Sequence, residues 1–181
     1  SLDSAERVEV LRGPFSALYG NSSGGVIQIF TADGSDRPEL RSGIVAGSYG
    51  TTRASANLRG SSGSLGYNVS LSRFDTDGYR DHSAARRNSG NAKLTWQVGD
   101  SGTLTVIGNS VDIPMAQDPL GLSAAQFRDN PRQATPQANL FNTRKDVSQN
   151  QLGAIYDFAI DEKQSLRIMG YSGSRAVEQF L

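Results

Sequence analysis

Cysteine is absent from the 181 residues, and histidine occurs once, at His82. The first absence removes a disulfide framework, a thiolate zinc site and a cysteine nucleophile. The second leaves any Ser-His-Asp catalysis dependent on a single imidazole. There is no basic excess, since 18 Lys+Arg face 18 Asp+Glu, whereas a dedicated nucleic-acid binder carries a surplus or stripe to meet phosphates. No uninterrupted apolar stretch approaches the roughly 18 residues of a membrane helix. No basic and then apolar leader precedes the first periodic segment, so no signal peptide is visible. The abrupt start at Ser1 and the stop at Leu181, inside an apparently ordered stretch, are those expected of a fragment. What remains is abundant glycine and serine with thinly spread apolar residues, the composition of a β-rich chain.

The first thirty residues have a texture of their own. Arg7-Val8-Glu9-Val10-Leu11 alternates, and Gly13-Pro14 stops it with a turn. Pro14 suits the first position of a short helix, where its missing N–H costs nothing. Phe15-Ser16-Ala17-Leu18-Tyr19 supplies that helix, and Gly20-Asn21 ends it. After Ser22-Ser23-Gly24-Gly25, the run Val26-Ile27-Gln28-Ile29-Phe30-Thr31 reads as a largely buried strand. Residues 1–32 are therefore strand, short helix, glycine-rich turn and strand, and 33–38 form a linker.

From Glu39 onward the period is two. Ala54, Ala56 and Leu58 alternate with Arg53, Ser55, Asn57 and Arg59. Leu65, Tyr67, Val69 and Leu71 alternate with polar or small residues, as do Ala92, Leu94, Trp96 and Val98. Leu152, Ala154, Tyr156, Phe158 and Ile160 form one more apolar face. The 40–48 and 103–111 stretches are weaker, and 165–175 leaves open which face is apolar. Seven strands linked as hairpins are expected.

Their connections differ systematically. The second, fourth and sixth are tight, at Gly60 to Ser64, Gly99 to Gly102 and Asp161 to Lys163. The first is also short, at Tyr49 to Thr51, but the third (75–88) and the fifth (113–145) are long. Successive hairpins open at alternate ends of a sheet, so every tight turn falls on one rim and both long loops on the other. Outer-membrane barrels have this pattern. Pro114, Pro119, Pro131 and Pro136 mark the fifth connection, because proline blocks ladder hydrogen bonds, and Ser123 caps a short helix at Ser123 to Phe127.

A soluble sandwich or lectin-like barrel also yields alternating strands. It gives no reason for the loop asymmetry, nor for apolar positions as small as Ala54, Ala56, Ala92, Gly108 and Ala154. If the apolar face meets hydrocarbon, Arg53 and Lys93 must face inward, since Arg or Lys at the bilayer midplane costs about 2–4 kcal/mol.

Three blocks sharpen this reading: Glu9-Val10-Leu11-Arg12-Gly13-Pro14, then Ser16-Ala17-Leu18-Tyr19-Gly20, then Gly24-Gly25-Val26-Ile27-Gln28-Ile29. Their order and spacing resemble the end of the plug domain of TonB-dependent outer-membrane receptors, with Gln28 where the family usually has Asn. The resemblance implies that 1–32 is the C-terminal part of an α+β plug, with Arg12, Gly13, Pro14, Tyr19, Gly20, Gly24 and Gly25 as its structural motif. It implies that 39–181 is the opening of an antiparallel transmembrane barrel of about twenty-two strands, in the bacterial outer membrane. It further implies energy-coupled uptake of a scarce ligand such as a ferric siderophore, driven by the TonB–ExbB–ExbD complex through a segment that is not in this chain. Plug arginines in this family pair with barrel glutamates, which would give Arg12 a partner on strands not present here. No chemistry on the ligand and no cofactor are implied, and iron enters only within a transported chelate. The competing readings are a passive porin or secreted adhesin and, further off, a hydrolase using His82.

The candidate ligand contacts follow from charge in the long loops. Tyr79, Arg80, Asp81 and His82 with Arg86 and Arg87 place cationic groups and an aromatic in one loop, where they would steer an anionic chelate. Gln117, Asp118, Arg128 and Arg132 do so in the other. For each residue the competing reading is a solvated or lipopolysaccharide-contacting loop. Gly13 to Gly25 lacks the Gly-Lys-Ser/Thr of a phosphate cradle, and Asp75-Thr76-Asp77-Gly78 lacks the later acidic ligands of a calcium loop. Trp96 and Tyr67 read as barrel-surface aromatics.

Overall fold

The computed structural model describes residues 2–14 and 23–181. The expected helix at 15–19 lies outside these residues, as do Tyr19 and Gly20. A single 3-10 turn at Leu2–Ser4 leads into β1 (Ala5–Arg12), which pairs antiparallel with β2 (Gly25–Thr31). Gly13 and Gly25 both have positive φ at the far end of this hairpin. A Cβ on Gly25 would come 2.6 Å from the Leu11 carbonyl oxygen, so close approach of the two strands requires glycine there. A Cβ on Gly24, by contrast, would meet no atom of the described residues within 4 Å.

The rest of the chain is one wall. β3 (Glu39–Ala46), β4 (Thr52–Ser62), β5 (Leu65–Thr76), β6 (Ala85–Val98), β7 (Gly102–Ala116), β8 (Arg144–Ala159) and β9 (Ser165–Phe180) form a seven-stranded antiparallel meander in chain order. Connections 63–64, 99–101 and 160–164 lie on one rim, and 47–51, 77–84 and 117–143 on the other. Two boundaries differ from expectation. β6 begins early enough to include Arg86 and Arg87, and β7 runs through Pro114, so both long loops are shorter than 75–88 and 113–145. The proline is tolerated because it is paired in neither ladder, opposite a register shift between Arg86 and Asn88. Among the described residues no helix is long and apolar enough to cross a membrane.

The burial pattern is the reverse of a soluble fold. Among the described residues the buried apolar side chains are Ala134 and Ala138 alone, while Asn57, Asn68, Ser70 and Asn91 are buried on the wall's inward face and Ser4 is buried against it. That face is set by register: Asn57 lies opposite Ser70 and Ser70 opposite Asn91, and Arg59, Asn68 and Lys93 form the next row. On the other face Leu58, Leu71, Leu94 and Trp96 are exposed, as are Leu152, Phe158 and Ile168. Arg53 and Lys93 turn inward, as the alternation requires.

What the inward face meets is the base of the β1–β2 hairpin. Asn68 Nδ2 donates to the Ala32 carbonyl (2.9 Å) and the Ser4 carbonyl (3.5 Å), while its Oδ1 accepts from Asn57 Nδ2 (2.7 Å). Ser4 Oγ donates to Asn91 Oδ1 (2.7 Å), and Asn91 Nδ2 donates to Asn109 Oδ1 (2.7 Å). Arg53 Nη2 grips both Asp3 carboxylate oxygens at 2.5 and 2.6 Å. Lys93 Nζ donates to the Thr31 carbonyl (3.0 Å) and pairs with Asp33 (2.7 Å). The Ala32 N–H closes the base by donating to the Ser4 carbonyl at 2.9 Å. In these pairs the hairpin base supplies the carboxylates and the wall the cations. Among the described residues Arg12 makes no ion pair.

Removing one polar partner here strands the other in a buried site. Asn68→Ala is therefore expected to lower stability by about 1–3 kcal/mol, measured by chemical denaturation followed through the fluorescence of Trp96, the one tryptophan.

Candidate functional site: the loop-bearing rim

The three connections on the longer rim pack on one another. Arg80 organises them. Its guanidinium donates to the carbonyls of Leu120 (2.7 Å), Pro119 (3.2 Å) and Gln133 (2.8 and 3.0 Å), reaching some fifty residues along the chain. Its own N–H donates to Ser83 Oγ at 3.1 Å. His82, at φ 54°, places Nε2 2.8 Å from the Thr143 carbonyl. Gln117 Oε1 accepts from the Ala84 N–H (3.1 Å), and Thr143 Oγ1 donates to the Asp118 carbonyl (2.5 Å). These residues hold the loops in place.

Helix α1 (Ala124–Asp129) begins at Ser123, whose Oγ accepts from the Gln126 N–H while the Gln126 side chain accepts from the Ser123 N–H. The serine cap was foreseen. A second helix, α2 (Pro136–Phe141), was not, although its signals are local: Thr135 caps it and Pro136 occupies the first turn.

Other groups on the rim keep donors or ring faces available. Arg132 lies over both Tyr49 (5.5 Å) and Tyr79 (5.6 Å), whose rings meet edge to face at 5.3 Å. This cation–aromatic cluster ties the 47–51, 77–84 and 117–143 connections together and leaves both rings about half exposed. Tyr49 keeps this position at φ 60°, an unusual backbone for a bulky side chain. Arg128, in the last turn of α1, is exposed and has no ion-pair partner among the described residues.

Arg86 and Arg87, adjacent in sequence, part company. Arg86 turns outward to Asp75 (2.5 Å), which Arg73 also holds (2.7 Å). Arg87 turns inward over Phe74, 5.9 Å from the ring centroid. The inward rows continue from Ser89 through Val111 and Gln149 to Arg175. Gln149 and Arg175 thus share the wall with Arg87, a grouping that charge in loops did not reveal. The signal was available in parity, carried strand by strand from Asn91.

Among the described residues no three His, Asp or Glu side chains converge as a metal site. Two depressions, about 930 and 670 Å³, lie on the outward face between small side chains such as Ala54, Ala56, Gly90 and Gly108, away from the rim. The rim and the inward wall can instead present guanidinium, amide and aromatic groups to a bulky anionic ligand.

Because Arg80 is held by charge-assisted hydrogen bonds of about 1.5–3 kcal/mol each, Arg80→Lys is expected to speed proteolysis within 117–143 by about tenfold or more. Arg128→Lys should leave the cleavage rate unchanged. Limited proteolysis with mass-spectrometric mapping measures both.

No family model matches the chain. Two curated relatives, the metal-pseudopaline receptor CntO from two strains of Pseudomonas aeruginosa, are each 33% identical to it over 105 residues, 56% of this chain. The chain spans 15% of their length. Among solved structures, the siderophore receptor PirA from Pseudomonas aeruginosa matches with a TM-score of 0.62 at 19% identity, covering 98% of this chain and 29% of that one. The mostly β, antiparallel architecture is thus shared with a part of PirA.

Proposed function

We propose that the chain is a segment of a TonB-dependent outer-membrane receptor that imports a metal chelate, with a ferric siderophore as the leading ligand class. The observation that carries this reading is the wall's inverted polarity. Its wet face is bonded to a separate hairpin, while its apolar face is presented outward. In water such a surface would associate, whereas against hydrocarbon it is the favourable arrangement. On this reading 1–32 is the end of the plug, 33–38 the linker and 39–181 the first barrel strands. The relatives named as receptors for metal–pseudopaline and siderophores support the substrate class.

The working parts follow from position. Tyr49, Tyr79 and Arg132 form a stiff aromatic–cationic rim that captures the anionic chelate, with Arg128 beside it and Arg87 and Arg175 on the inward wall. Arg80, His82 and Gln117 position the loops. Uptake is driven by the TonB–ExbB–ExbD complex acting on plug sequence outside this chain. No bond of the ligand is made or broken, so the protein is not an enzyme, and iron or another metal is cargo within the chelate. His82, engaged with a loop carbonyl, gives a hydrolase no support. A porin or adhesin would have no need of the buried bonds that fix the hairpin base.

Two tests follow. Leu94→Arg, on the outward face, should lower stability in lipid vesicles by about 2–4 kcal/mol, read from denaturant midpoints; little change in lipid would place that face elsewhere. Deleting residues 1–32 from the receptor that carries this segment should convert it into a leaky pore and abolish coupled uptake. Unchanged conductance in planar bilayers would reject the plug assignment.

A further inference from the structure

The base of the hairpin carries a mechanical consequence that rests on the receptor reading. We propose that residues 2–4 and 31–33 form a root that stays closed on β4, β5 and β6 throughout the transport cycle. Rearrangement is then confined to the hairpin beyond it and to plug sequence attached through it.

Three features single out this root. Both flanks of the hairpin are held, and by different strands: Asp3 by Arg53 of β4, and Thr31 and Asp33 by Lys93 of β6. Between them Asn68 of β5 bonds to both flanks at once, through the carbonyls of Ser4 and Ala32. A force on either flank is therefore shared across three strands.

The second feature is burial. Ser4, Asn68 and Asn91 are at most 5% exposed. Separating the root from the wall would strand these amide and hydroxyl groups without partners unless water followed them in. The two ion pairs are unequal. Arg53–Asp3 is largely shielded, whereas Asp33 is exposed, and Lys93 is secured mainly by the Thr31 carbonyl.

The third is contrast with the rest of the hairpin. Among the described residues, none in 6–14 or 23–30 makes a hydrogen bond or ion pair to the wall. The far end also carries Gly13 and Gly25 at positive φ. The polar bonds to the seven described strands are concentrated at one end of the hairpin.

Because this segment has no cysteine, the root can be locked selectively once any cysteine elsewhere in the receptor is replaced by serine. Ser4→Cys/Asn91→Cys in the receptor carrying this segment is treated in cells with a short bifunctional thiol reagent. The readout is accumulation of radioactive iron and zinc by metal-starved cells that secrete their own chelators. The root predicts efficient cross-linking and accumulation within about twofold of the untreated variant. Efficient cross-linking with accumulation lost would overturn the proposal, because the root would then have to open. Failure to cross-link in a receptor that is assembled in the outer membrane would overturn it too. Thr31→Cys/Lys93→Cys repeats the test on the other flank should the first pair assemble poorly. If the parent without the introduced pair accumulates neither metal, the receptor reading fails instead, and the cross-linking yield still reports on the root.

Discussion

Asn68 bonds sideways to Asn57 and forward to two carbonyls of a separate chain segment, and the architecture depends on this kind of contact. A wall with a polar interior face has no apolar core to hold it in shape. Its buried amides must find partners, and a buried amide left unpaired costs more than a satisfied one contributes. The hairpin base supplies those partners through carbonyls, a hydroxyl and two carboxylates. Ser70 Oγ, buried in the adjoining row between Asn57 and Asn91, has no protein partner among the described residues, and the spot has the polar surroundings that suit an ordered water.

The rim follows a different logic. Cohesion there comes from one guanidinium threaded among carbonyls and another stacked on two tyrosines. Such contacts define loop shape without an apolar interior; Ala134 and Ala138 are its small buried pieces. A loop held this way loses little conformational freedom when a ligand arrives, and preorganisation of that kind improves affinity without adding contacts.

Legibility in the sequence tracked the solvent boundary. Between Leu65 and Leu71, or Ala92 and Val98, one face is apolar and the other polar, so alternation located the strands. Toward the loop rim both faces are wet: Arg86, Arg87 and Asn88 carry no period, and the start of β6 was placed too late. The carbonyl partners of Arg80 lie far along the chain, where no local pattern announces them. The ion pairs of Arg53 and Lys93 were not legible, because they depend on which carboxylates the hairpin base brings to them from 50 or more residues away. By contrast α2 had its cap and proline in plain view at Thr135 and Pro136.

The strict side-to-side parity of the wall also constrains how such a chain can change over evolutionary time. Lys93 and Leu94 are neighbours on opposite faces of the wall, and the two-residue connection at Gly63–Ser64 leaves no slack to absorb a slip. Losing one residue from β5 or β6 would exchange the environments of every side chain beyond it, whereas losing two would merely shorten the stave. Indels within the strands should therefore come in even numbers, while the 117–143 segment is free to vary one residue at a time.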